Sequence, residues 1–92
     1  ATLAGKKALM MGNHGVTVIG ETVAEAFESL YYLEKACKTM VLAYATGQEL
    51  NVLPHELALK TAVSWDEFSG AAFAHFEQLK ANLDRKDPSY RA

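Results

Sequence analysis

A single cysteine, Cys37, leaves the chain no internal disulfide. Its place inside an apolar helical pattern is that of a buried thiol in a reducing compartment, so the cytoplasm is the expected location. Long apolar runs are missing too. None approaches the roughly 18 residues of a membrane span, and the opening Ala1-Thr2-Leu3-Ala4-Gly5-Lys6-Lys7 places no apolar core behind a basic head. Neither membrane insertion nor secretion is expected. The nine Lys and Arg residues are scattered and outnumbered by eleven Asp and Glu, for a formal charge of -2. Such a surface offers no positive field to nucleic acid. Only two prolines occur, with no repeat or low-complexity tract, so nothing divides the 92 residues into two domains. What is present is ordinary globular composition, 50% hydrophobic and 22% charged, far from the signature of disorder. A domain of this size buries only roughly 60 to 65% of the surface its unfolded chain exposes, which leaves its stability marginal.

Lys7 to Val18 reads as a β-hairpin. Ala8-Leu9-Met10-Met11 is an apolar run, Gly12-Asn13-His14-Gly15 is turn chemistry, Val16-Thr17-Val18-Ile19 is β-branched, and Gly20 ends the second strand. Both runs are apolar on both faces, as in strands covered on each side, so other strands are expected elsewhere. Thr22-Val23-Ala24-Glu25 is a capping box. It opens a helix from about Val23 to Thr46, with an apolar stripe through Val23, Phe27, Leu30, Leu33, Cys37, Met40, Val41 and Tyr44 and a Gly47 cap. Pro54 suits the first turn of a second helix ending near Val63. A second box, Ser64-Trp65-Asp66-Glu67, starts a third helix, whose stripe holds Trp65, Phe68, Ala72, Phe73, Phe76, Leu79 and Leu83 and which Asp87-Pro88 stops. The predicted order is β-β-α-α-α.

The three histidines, His14, His55 and His75, fall in three elements, 41 and 20 residues apart. A local metal pair would be spaced by two on a strand or by three or four on a helix. On its residues alone, His14 is first a turn residue facing water. A ligand role rests on the flanking Gly12 and Gly15, which permit close approach at a rigid hairpin rim. His55 reads as a solvated first-turn residue and His75 as a hydrogen-bonded neighbour of the third stripe. Ser69, Thr61 and Cys37 have no histidine at helical spacing to activate them. The glycines at 12, 15 and 20 match neither the dinucleotide nor the P-loop pattern. Glu21, Glu25, Glu28 and Glu34 read as a solvated helix face, and Tyr32, off the apolar stripe, as a partly exposed core tyrosine.

Ala8-Leu9-Met10-Met11-Gly12-Asn13-His14-Gly15-Val16-Thr17-Val18-Ile19-Gly20, then Glu21-Thr22-Val23-Ala24-Glu25-Ala26-Phe27 and Tyr32-Leu33-Glu34-Lys35-Ala36-Cys37, resembles the class II aldolase/adducin family. The likeness is strong over Lys7 to Gly47 and looser over the third helix and its Asp87-Pro88-Ser89-Tyr90 end. It implies an α/β, three-layer α/β/α class II aldolase-like fold. Residues 1–92 would be the carboxy-terminal portion of a single such domain, represented by a β-hairpin and three helices. It further implies a three-histidine site for a divalent metal, Zn2+ by expectation, in which His14 is the third ligand and an earlier His-x-His strand supplies the other two. Such an ion acts as a Lewis acid on a substrate carbonyl.

This sequence contains no His-x-His, and one imidazole cannot hold a catalytic zinc. The expectation is therefore a parent metal-dependent lyase of the class II aldolase type, acting on a small hydroxy-carbonyl compound such as a sugar phosphate, with this chain inactive alone. The resemblance also implies a homo-oligomer, a tetramer in the family, with Tyr90 a candidate for the carboxy-terminal tyrosine that sometimes reaches the site. The competing readings are a non-catalytic, adducin-like interaction or oligomerisation module and a small helical-hairpin domain that only oligomerises. Retention of a histidine at position 14 favours the enzyme, because a bare turn accepts Asn, Asp or Gly there equally well.

Overall fold

A computed structural model describes residues 5–67 and 69–91. The order is β1 (Ala8–Met11), β2 (Gly15–Val18), α1 (Val23–Ala45), α2 (His55–Asp66), α3 (Ser69–Lys86) and a 3-10 turn, Pro88–Arg91. The expected β-β-α-α-α sequence stands.

β1 and β2 pair antiparallel, from Ala8 opposite Val18 to Met11 opposite Gly15. The Ile19 N–H extends the ladder by donating to the Lys7 carbonyl at 2.9 Å. Among the described residues these two strands are the whole sheet, and each has an unpaired outer edge. A two-stranded hairpin is marginal in water without packing; here β2 leans on α1.

The threonine half of the first capping box forms: Thr22 is the N-cap of α1, and its hydroxyl accepts from the Glu25 N–H at 3.2 Å. Gly20 is required just before it. A Cβ there would stand 2.7 Å from Ala26 N and 3.1 Å from Ala26 Cα, so the first turn of α1 passes directly over the end of β2. Gly20→Ala is therefore expected to cost about 1–3 kcal/mol by forcing the helix off the hairpin. An unchanged unfolding midpoint would contradict that close approach. α1 ends as predicted, with the Gly47 N–H at φ 71 donating to the Tyr44 carbonyl at 3.1 Å.

The second half departs from the prediction. α2 runs on to Asp66, and Pro54 is its N-cap rather than a residue of its first turn. The Ser64–Glu67 capping box does not form. Those residues end α2 instead, and the Glu67 N–H donates to the Ser64 carbonyl at 3.2 Å. The cause is tertiary: Trp65 stacks edge-on against Tyr32 at 4.9 Å between ring centroids, and Asp66 pairs with Lys7. Both contacts hold the segment in the last turn of α2. Phe68, placed by the sequence in the third stripe, lies outside the described residues. α3 stops at Lys86 before Asp87-Pro88, as expected.

α1 and α3 form the main packed pair. Ala24 (4% exposed) and Ala72 (5%) are the buried hydrophobic residues among those described, and Phe27 meets Phe76 with ring centroids 5.8 Å apart. The predicted α1 stripe is otherwise open, with Val23, Met40, Val41 and Tyr44 all more than half exposed, and Cys37 is half-buried rather than buried. The total surface is 7807 Å² for 10.1 kDa, about 2,500 Å² more than the roughly 5,300 Å² of a compact monomer of that mass. The radius of gyration is 16.3 Å, against about 12 Å for a compact domain of this length. Helices formed by local sequence thus display apolar faces that the chain itself does not cover.

Candidate functional site

His14 sits in the three-residue turn between β1 and β2. Its backbone N–H donates to the Met11 carbonyl at 3.2 Å, closing the turn. The middle residue of the turn, Asn13, has φ 63, a left-handed conformation that Asn tolerates well, and Gly15, just after His14, has φ 116. Asn and Gly therefore flank the histidine for conformational reasons. The imidazole itself is exposed at the tip, on a turn whose backbone is closed by that bond and joined to the ladder behind it.

The other two histidines are elsewhere. His55 is the exposed first residue of α2. His75, on α3, brings its Nδ1 to 2.6 Å from Oε2 of Glu28 on α1. Glu28 is only 8% exposed, so it belongs to the helix contact and not to the solvated face predicted for it. The His75 ring also lies edge-on to Tyr31 at 4.6 Å and beside Phe27 at 5.8 Å. The overlooked signal was spacing: Ala24, Phe27, Glu28 and Tyr31 share one face of α1 at intervals of three and four.

A cleft of about 830 Å³ opens between the base of the hairpin and the helices, with Lys7, Glu21, Glu25, Tyr32, Trp65 and Asp66 on its walls. His14 does not line it; the turn lies at the far end of the strands, roughly 14 Å away at about 3.4 Å per residue. Among the described residues, no three His, Cys, Asp or Glu side chains gather closely enough to hold a metal ion. His14 can thus offer one ligand, and the described residues alone do not make a metal site. Tyr90 donates its hydroxyl hydrogen bond to Asp84, whose carboxylate also accepts from Arg91 Nε at 2.9 Å. The Tyr90 hydrogen bond, more than the Arg91 charge behind it, holds the Asp84 carboxyl below the usual carboxylate range. No described helix is long and apolar enough to cross a membrane.

Residues 1–41 match the family described as Class II Aldolase and Adducin N-terminal domain. The chain is 40% identical, over 63% of its own length and 23% of the relative's, to a Caulobacter vibrioides protein named "Putative aldolase class 2 protein". A Pseudomonas aeruginosa protein of the same description is 27% identical over 99% of the chain and 37% of the relative. Beta-adducin of Homo sapiens is 35% identical over 80% of the chain and 11% of the relative. The chain therefore spans well under half the length of each of these relatives. No solved structure matches it. The matched hairpin and first helix place the chain in the class II aldolase/adducin family.

Proposed function

We propose that residues 1–92 form the carboxy-terminal portion of one class II aldolase-like domain, and that the whole protein is a metal-dependent lyase acting on a small hydroxy-carbonyl compound, with His14 as one metal ligand. The observation that carries this reading is His14 itself, an exposed imidazole held at a rigid turn whose neighbours are explained by backbone conformation while it is not. Two structural facts support the domain assignment. The hairpin has two open edges, and the excess surface of about 2,500 Å² is on the scale of an obligate interface. Further strands and helices of the same fold, arranged as three layers, would cover both.

The remaining ligands would come from outside these residues, because the described ones supply no second or third partner for His14. The chain by itself would be inactive, because one imidazole does not hold a catalytic ion. The reading carries with it a homo-oligomeric protein in the cytoplasm, where the free thiol of Cys37 stays reduced. Beta-adducin, similar across 80% of the chain, supports the competing reading of a non-catalytic interaction module.

Cobalt substitution separates the two. In the whole protein loaded with Co2+, the His14 ring protons are expected to be shifted far outside the normal proton range by the bound paramagnetic ion. A His14 ring with ordinary shifts in the loaded protein would remove the metal-ligand role and favour the interaction module.

A further inference from the structure

Gly20 stands where the end of β2 meets the first turn of α1, and no side chain fits there. A Cβ would lie 2.7 Å from Ala26 N, 3.1 Å from Ala26 Cα and 3.2 Å from the Glu25 carbonyl carbon. All three are backbone atoms, which cannot swing aside as the end of a long side chain can. Ordinary contact begins at 3.4 Å, so an alanine pushes strand and helix apart by about 0.7 Å. Neither side yields easily. The Thr22 hydroxyl caps the turn at 3.2 Å, and the Ala26 N–H donates to the Thr22 carbonyl at 3.0 Å. Ala24 in the same turn is buried, and Glu28 one turn on is tied to His75 of α3. On the strand side, the Ile19 N–H donates to the Lys7 carbonyl at 2.9 Å and closes the base of the hairpin. The contact is internal to residues 20–26 and is present however the outer faces of the fold are covered.

His14 lies six residues before Gly20, roughly 20 Å away along the strand. Strand pairing fixes spacing and register, but the twist of a sheet varies, and its tilt against a helix is set by packing. We infer that Gly20 is a positioning residue for His14: the close approach it allows sets where the tip of the hairpin stands relative to α1. This rests on the reading of His14 as a metal ligand and adds the residue that aims it. A rigid shift of about 0.7 Å is large at such a site, because its groups must be held to within roughly 0.5 Å.

Co2+ titration of the whole protein, with the His14 ring protons read by NMR and a crystal structure of each variant, tests this. Gly20→Ala is expected to weaken Co2+ binding by about 10- to 100-fold, the range for groups that only orient a ligand. Its shifted His14 signals should move, and its His14 Cα should be displaced by about 0.5 Å or more after superposition on α1. His75→Ala is the control: it loosens α1 from α3 without touching residues 20–26, so it should lower stability and leave Co2+ affinity and the His14 signals as they were. A merely structural role for Gly20 would make the two variants alike. If Gly20→Ala does not fold, Thr22→Ala uncaps the same turn without adding an atom at position 20, and it should weaken Co2+ binding several-fold. Wild-type Co2+ affinity in the variant that folds, or a His14 Cα that stays in place in Gly20→Ala, would overturn the inference. An unshifted His14 ring in the loaded wild-type protein is instead a failure of the metal reading, and the displacement of His14 between the crystal structures then decides the positioning role by itself.

Discussion

His14→Ala in the whole protein is expected to lower bound metal from about one ion per site to a trace, and lyase turnover by more than about 1,000-fold, with helical content and unfolding midpoint unchanged. The separation of effects follows from the position of the residue. Its side chain is exposed at the tip of the hairpin, and the bond that closes the turn is made by its backbone N–H, which alanine keeps. Exposed substitutions of this kind stay within about 0.5 kcal/mol of the parent stability. Loss of even a group that only orients a metal ligand weakens metal binding by about 10- to 100-fold, and loss of a ligand costs more. Elemental analysis together with circular dichroism reads both arms. Metal retained in the variant would contradict the assignment, and metal lost together with the fold would make His14 structural.

His75→Ala has the opposite profile, a stability loss of about 3 kcal/mol with metal content unaffected. The substitution leaves the Glu28 carboxylate, 8% exposed, without the imidazole nitrogen now 2.6 Å away. Leaving a buried carboxylate without its hydrogen-bond partner costs about 1–3 kcal/mol or more, and the partner here, the His75 side chain, is 26% exposed. The ring also leaves a cluster with Phe27 and Tyr31, where such contacts contribute about 0.5–1.5 kcal/mol each. Replacing both partners, Glu28→Leu with His75→Phe, should recover most of the loss, since exchanging both sides of a buried hydrogen bond for apolar groups of similar shape is close to neutral. Chemical denaturation measures each variant. A single substitution costing under about 0.5 kcal/mol would show that α1 and α3 are held together by something other than this clasp.

The contrast between these two histidines shows what the sequence could and could not reveal. Elements set by local chemistry were legible: the Gly12-Asn13-His14-Gly15 turn, the Thr22 cap and the Gly47 and Pro88 stops all lie where backbone preference puts them. The Ser64–Glu67 box satisfied the same local rules and failed. There Trp65 and Asp66 find partners in Tyr32 and Lys7, 33 and 59 residues earlier in the chain, and such distant contacts leave no local pattern. Glu28 was misread for a related reason. A carboxylate on a helix is assigned to water unless its partner is known, and His75 lies 47 residues away. The stripe of α1 is apolar as the sequence indicates and yet open, because hydrophobic periodicity tells which face wants burial and not whether this chain can supply the cover.

The candidate site was legible only as a residue type in a family pattern. Nothing in the spacing of His14, His55 and His75 joined them, and the structure leaves them in separate elements. The family match over residues 1–41 covers the hairpin and most of α1, the part where local pattern and fold agree.

The metal stoichiometry of the 92-residue chain beside that of the whole protein, each passed through gel filtration and measured by elemental analysis, tests the central claim most directly. A site completed from outside these residues predicts about one divalent ion per subunit in the whole protein and none in the chain. A tightly bound ion in the chain alone, or none in either, would contradict it.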